Sequence, residues 1–327
     1  MKTVLKIATL FLMVLGACQS DYSEDTSQAP VSERFPWEEG VPYDQIEVPC
    51  LDELISKKTF NAYDESLKQY IRSNPNRPDS LRHVIYLLPL GHMTEEMTKL
   101  LTDEVHYLSV FFQMDVKLMP LVPFADLKAM DSVQTRLDPG SNYNGKLDKG
   151  SHDQIVREQL ETNSLMKHFI QPNMPSDAVV IIGVTEHDLY ARGYNWLYGS
   201  TIRKSGIGVI STHRITEYPY QMKPNLRKVI SKQVANGFSI KNTKDYDCLL
   251  NFHKNRNELT NGVFYLSPRA VEKLCFSAGF DHQTRFKALT NFWQKEGNEE
   301  MASHYEHCLE RLLTCEHTTS SKSDVTD

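Results

Sequence analysis

Two hydrophobic periods run through this chain. Val84–Leu88 is a short apolar run closed by Pro89 and Gly91, the pattern of a buried strand. After Thr94 the spacing changes: Met97, Leu101, Val105, Leu108 and Phe112 recur as on one face of a helix. Val116–Val122 reads as a second strand, Arg136–Gly150 (rich in Asp, Asn and Gly) as a loop, and Asp153–Phe169 as a second helix. Ala178–Val184 is continuously apolar and rich in β-branched residues, which suits a strand covered on both faces, and Gly206–Ser211 repeats that pattern. Leu226–Phe238 predicts a further helix, with Gly237 taking part in its end. Ser267 and Pro268 form an N-cap and first turn for a helix to Phe276, closed by Gly279. Thr284–Glu296 and Glu299–Leu313 predict an antiparallel helical pair around Gly297 and Asn298, followed by a frayed Ser/Thr-rich tail after Cys315. Strands alternating with helices in this way imply an α/β layer with a mixed sheet.

The N-terminal pattern is of another kind. Lys2 and Lys6 precede an apolar run from Ile7 to Leu15, and small residues lead to Cys18, which is the layout of a bacterial secretion signal over 1–17. The run is far short of the roughly 20 residues needed to span a bilayer as a helix. The tetrapeptide ending at Cys18 resembles a lipobox, so Cys18 is expected to carry lipid and tether the chain to a membrane. From Gln19 to Glu47 there are eight acidic residues against Arg34 alone, which reads as a solvated acidic tether over 18–47. An acidic cluster so soon after the lipidated cysteine points to a cell-envelope lipoprotein of the outer membrane, on either its periplasmic or its outer face. Without Lys2 and Lys6 the chain carries 34 basic and 42 acidic side chains, which argues against a nucleic-acid partner. The remainder, 48–316, suffices for one large domain that includes the helical hairpin at about 284–313; residues 317–327 form the tail.

The stretch from Lys232 to Leu250 carries the candidate chemistry. Its spacing is that of the zinc motif HExxHxxGxxHCxxxxCxM of archaemetzincins: Lys232, Asn236 and Asn242 stand at the histidine positions and Gln233 at the general-base glutamate. Ser239 stands at the glycine, Thr243 and Cys248 at the two cysteines, and Leu250 at the methionine. Upstream, Ile181–Ile215 resembles the block that precedes the zinc helix in that family: a strand, an Asp188-Leu189-Tyr190 turn, an aromatic-Gly hairpin and a second strand ending in Ser. His83–Gly91 is similar to the family's first strand. The resemblance covers roughly residues 80 to 315 and implies a metzincin-like three-layer α/β domain with a mixed β-sheet, a cleft helix and extra C-terminal helices.

What the family would do here depends on residues this chain lacks. A protonated lysine has no lone pair to give zinc, amide oxygens are weak zinc ligands, and glutamine accepts no proton. The expectation is therefore no catalytic residue and no metal or other cofactor, in a pseudoprotease whose inherited cleft binds a peptide or protein in a regulatory role. An active metallopeptidase with another ligand set, and a surface lipoprotein working through its exterior, are the alternatives. Zinc with three imidazoles and a glutamate carries a net charge of +1, as does Lys232 with its three amides. Lys232 either takes the metal's place, donating to the Asn236 and Asn242 amide oxygens or to a bound acyl oxygen, or extends to water.

The resemblance also implies a partner for Cys248. The family's second site holds zinc with four cysteines, two of them at positions filled here by Thr243 and Ala278; the remaining pair, Cys248 and Cys275, is expected as a disulfide, with two reduced core thiols as the other possibility. Cys308 and Cys315 are too far apart along one helix to pair with each other, and one of them could reach Cys50. His304, His307 and Glu300 could share a helix face but read as solvated, and Asp188 beside His187 reads as an Asx-type turn shaping the cleft wall. His213 and His253 are the histidines nearest to the motif in sequence.

Overall fold

The computed structural model describes residues 46–52, 54–55, 57, 64–123, 125–126, 132–137, 158–216 and 219–323. The signal at 1–17, Cys18, the tether as far as residue 45 and the Cys315 side chain lie outside these. Among the described residues no helix is long and apolar enough to cross a membrane.

In chain order the elements are α1 (Leu67–Arg72), β1 (Val84–Leu90), α2 (Glu95–Phe112), β2 (Val116–Leu118), β3 (Thr135–Leu137), β4 (Glu158–Glu161) and α3 (Thr162–Leu165). Next come β5 (Ala178–Thr185), β6 (Asp188–Ala191), β7 (Tyr194–Leu197), β8 (Gly199–Ile202), β9 (Ile207–Ser211) and α4 (Pro219–Gly237). The chain continues through α5 (Arg256–Thr260), α6 (Pro268–Ala278), α7 (His282–Lys295) and α8 (Glu299–Ser323). The main sheet has the order β2-β1-β5-β9-β8, parallel throughout except for β8, which runs antiparallel to β9 along one edge. A second sheet, β3-β4-β6-β7, is mixed.

The pleat of the main sheet explains the layering. Ile85, Leu87, Val180, Ile182 and Val184 face a core built with α2, α4 and the C-terminal helices. Leu88, Leu90, Ile181, Ile207 and Val209 face a second core with Leu160, Leu189 and the Leu165–Ile170 helical segment. All eight residues of β5 are buried, as a strand covered on both faces requires. The fold is thus a mixed α/β arrangement of three layers.

The pattern at the ends of the elements holds in most places. Thr94 caps α2 through Met97 N at 3.1 Å, Ser267 precedes α6, and Gly279 closes α6 at φ 70°. Three expectations need correction. Glu158–Glu161 is a strand, because it pairs with β3 and β6, so the helix expected over 153–169 starts only at Thr162. Thr135–Leu137, placed partly in the expected loop, is the edge strand of that sheet. The last helix runs past Leu313 to Ser323, since neither Gly nor Pro follows to stop it.

The expected Cys248–Cys275 disulfide is also overturned, since both residues are free thiols. Cys248 Sγ accepts the Ser267 N–H at 3.2 Å at the start of α6, whereas Cys275 lies eight residues further along that helix, donating to Phe280 O at 3.3 Å. Eight residues of helix advance about 12 Å, twice the usual Cα separation of a disulfide.

Helix α4 begins seven residues before the expected start at Leu226. Pro224 removes one helical hydrogen bond near the exposed N-terminal end, and burial from Asn225 onward outweighs it. One side chain fixes the helix to its neighbours. Arg227 donates from Nε to both Glu104 oxygens (3.0 and 3.2 Å) on α2 and from Nη1 to Glu296 Oε2 (3.1 Å) after α7. Its guanidinium lies 4.4 Å from the Tyr107 ring centroid, with Phe292 and Trp293 at 5.1 and 5.3 Å. Burial pushes the Glu104 carboxyl up to about 7, with the Arg227 charge pulling it down. Replacing Arg227 with Leu leaves Glu104 buried without its cation and should cost about 3–5 kcal/mol in urea denaturation. The Glu104→Gln/Arg227→Met pair should cost less than its two single changes summed; additive costs would contradict the clamp.

Candidate functional site

The four motif positions converge on one cavity of about 750 Å³. Its floor is α4, with Lys228, Lys232, Gln233 and Asn236; one wall is β8 with the β6–β7 hairpin, and the other is formed by Asn242 and the segment 252–255. The floor can lie so close to the sheet because Gly237 ends α4 against Val180, where a Cβ would come within 2.8 Å of that side chain.

The turn after the helix keeps the geometry the motif needs. Ser239, at the motif's glycine, adopts φ 66°, a left-handed conformation that glycine enters without penalty and serine does not. It is held there by two hydrogen bonds: its Oγ accepts the Asn76 N–H at 3.0 Å and donates to Arg203 O at 3.2 Å. Asn76 Nδ2 in turn donates to Gly237 O (2.9 Å) and Val179 O (2.8 Å), tying the helix end to β5. The chain therefore turns back and brings Asn242 to the same cavity as Lys232 and Asn236.

The side chains at the four motif positions are three neutral amides and one ammonium. Gln233 Oε1 accepts from Thr201 Oγ1 of β8 at 2.7 Å and from Asn236 Nδ2 at 3.5 Å. Lys232 Nζ donates to Asn251 O at 2.6 Å and lies 5.6 Å from the Phe252 ring centroid. It therefore neither extends to bulk water nor bonds the Asn236 and Asn242 amides: those two Oδ1 atoms are buried without a hydrogen-bond partner. Burial lowers the Lys232 ammonium to about 8, opposed by Cys248 and helped by Arg203; burial alone lowers Lys228 to about 8. Lys228 Nζ is engaged by Leu259 O (3.0 Å) and Thr260 O (2.7 Å).

Sequence reading missed Asn251, the centre of the loop below the site. Its Nδ2 donates to Thr243 O and Tyr246 O, each at 3.0 Å, its Oδ1 accepts from Cys248 N at 3.0 Å, and its own carbonyl receives Lys232. Lys228, one helical turn before Lys232, was legible as an i, i+4 pair of lysines.

Asp188 is not an Asx turn. It lies in β6, fully buried, where it accepts Arg214 Nη2 at 2.7 Å, Arg214 Nε at 3.1 Å and Gln159 Nε2 at 2.7 Å. Arg214 lies 4.6 Å from the Trp196 ring centroid, so this buried ion pair props a wall of the cavity. His253 lines the cavity, whereas His187 and His213 do not. His304 stacks on Tyr265 at 4.1 Å, and burial, then His307, lower it to about 4; His307 is exposed.

A sheet with an antiparallel edge strand beside a long cleft helix, followed by a left-handed turn at this spacing, is a metallopeptidase-like framework. No protein-family model matches the chain. Archaemetzincin-2 of Pongo abelii is 21% identical over 279 residues, covering 73% of this chain and 72% of its own length. The archaemetzincin of Pyrococcus furiosus is 21% identical over 181 residues, covering 53% of this chain and 82% of its own. Among solved structures, the archaemetzincin of Archaeoglobus fulgidus complexed with malonate aligns with a TM-score of 0.43 at 17% identity, covering 58% of this chain and 99% of that one. In sequence the chain is thus similar to archaemetzincins over as much as 73% of its length.

The zinc that the family implies does not fit the residues present. Three of the four motif positions offer amides and the fourth an ammonium, and the amide oxygen of Gln233 is already bonded. Among the described residues no group of three or more His, Cys, Asp or Glu is arranged to hold a metal.

The Lys232 ammonium has a checkable signature. Methyl NMR of the reductively methylated protein should show two lysines titrating near 8, one of them absent from Lys232→Met; titration of that one with the bulk lysines would contradict the burial described. The unfolded chain keeps this proton to about 10.5, so the fold carries the desolvation cost at neutral pH. That cost is relieved as pH rises between about 8 and 10.5, and the residue's contribution to stability increases over that window.

Proposed function

We propose that this chain is a catalytically degenerate archaemetzincin-like binding protein that holds a peptide in the inherited cleft without cleaving it. The observation that carries this reading is the pairing of an open cavity of about 750 Å³ with a donor set that supplies neither a zinc ligand nor a general base. Hydrolysis by this family's route needs a Lewis acid to polarise the carbonyl and a base to take the water's proton. Lys232, Gln233, Asn236 and Asn242 offer neither. What they do offer is hydrogen bonding: an ammonium donor, and amide oxygens that lack partners.

The cleft also has the shape for an extended ligand. β8 is the edge strand of the main sheet and borders the cavity, so a peptide laid beside it could add as a further strand, with main-chain bonds giving affinity and the pocket reading a side chain. Incubation of the full chain with a random decapeptide library, followed by mass spectrometry of bound and free fractions, tests the reading. Retention of intact peptides, weakened about tenfold or more by Lys232→Ala, is expected. Chelator-sensitive cleavage would establish the active metallopeptidase instead. Equal retention by both proteins, or none, would favour a protein that works through its exterior.

A further inference from the structure

We infer that the cleft selects an acidic peptide and seats one of its carboxylates on Lys232. This rests on the peptide-binding reading above and adds the chemistry of the ligand. The first observation is charge. Arg192, Arg203, Lys228, Lys232 and Lys254 all line the cavity, and among the described residues no Asp or Glu does, although the whole chain carries a net −6. Glu258, on the short helix that borders the cavity, bonds back to Lys254 N at 2.7 Å and to Asn255 Nδ2 at 3.2 Å, so it is turned to its own helix end. A concave surface with one sign of charge raises the local concentration of the opposite sign and penalises a cationic ligand.

The second observation is unmet hydrogen bonding. Lys232 has three donors, and its one hydrogen bond, to Asn251 O, accounts for one of them. A carboxylate oxygen suits the remaining donors, and the partly desolvated setting strengthens a charge-assisted bond. Beside it Asn236, only 4% exposed, and Asn242 line the same cavity, and each carries a buried Oδ1 without a hydrogen-bond partner. These acceptors call for N–H or O–H donors, because a buried acceptor without a partner costs about 1–3 kcal/mol. A peptide supplies both requirements at once, a side-chain carboxylate for the ammonium and main-chain N–H groups for the amide oxygens, while its backbone pairs with the β8 edge. An acidic glycan could meet the charge but could not extend the sheet.

The test uses fluorescence anisotropy on the full chain with a labelled decapeptide alternating Glu and Ser, the same peptide with Gln in place of Glu, and a labelled hyaluronate oligomer. The Glu peptide should bind about tenfold or more tighter than the Gln peptide, and its affinity should fall with added salt. Lys232→Gln should remove the difference while Lys232→Arg keeps part of it, with thermal unfolding confirming that each variant is folded. Should Lys232→Gln fail to fold, the salt dependence of the native chain and the Lys232→Arg comparison decide. Equal affinity for the two peptides, or an unchanged preference in Lys232→Gln, overturns the acidic selection and leaves peptide binding standing. Binding of hyaluronate alone, or of none of the three, overturns both.

Discussion

The buried contact between Arg227 and Glu104 is the constraint on which the cleft depends. Helix α4 forms the floor of the cavity, and a floor is useful only if it cannot rotate or slide. Apolar packing against β5 and β9 sets its distance from the sheet but resists sliding weakly, because one aliphatic contact can replace another. An ion pair whose Nε–H is shared between both carboxylate oxygens, inside a ring of Tyr107, Phe292 and Trp293, has one geometry, and leaving it exposes a buried charge without compensation. The register of α4 against α2 and α7 is thereby fixed, and with it the direction in which Lys232 and Asn236 point.

On that fixed floor the positions of the zinc motif converge on one cavity while their chemistry differs. Ser239 shows this best. Nothing about serine favours a left-handed backbone, yet it adopts one at the position the motif gives to glycine, compensated by Asn76 and Arg203. The turn that carries the third motif position inward is kept by hydrogen bonds rather than by conformational freedom. Inside the cavity, one ammonium stands near three amides where the family's motif would place a dication among imidazoles and a carboxylate. Among the four motif positions there is a single positive charge, but its owner is held by a backbone carbonyl, and the three amides can only donate or accept hydrogen bonds.

Much of this is legible in the sequence. The doubly covered strand at Ala178–Val184 and the helix from Pro268 closed by Gly279 follow from local patterns whose causes lie within a few residues, and the convergence of positions 232, 236 and 242 from the resemblance to the zinc motif. The failures share one cause, dependence on distant partners. Glu158–Glu161 is too polar to announce a strand and becomes one because β3 and β6 flank it. Asp188 was read as a turn residue because Arg214, its actual partner, lies 26 positions away. Cys248 and Cys275 were paired by family resemblance, which could not foresee that α6 would separate their sulfurs along its length. Asn251, a short polar side chain in a loop, gave no signal at all, although the loop folds around it.

The central claim is that the framework is intact and the zinc ligands are not, and metal content tests both halves together. Elemental mass spectrometry should find well under about 0.1 zinc ion per chain in the native protein after purification with zinc supplied. The variant carrying Lys232→His, Gln233→Glu, Asn236→His and Asn242→His should hold about one, because the three imidazoles would then converge as a catalytic zinc site requires. Stoichiometric zinc in the native chain, lost on substitution of residues 232, 236 or 242, would contradict the account.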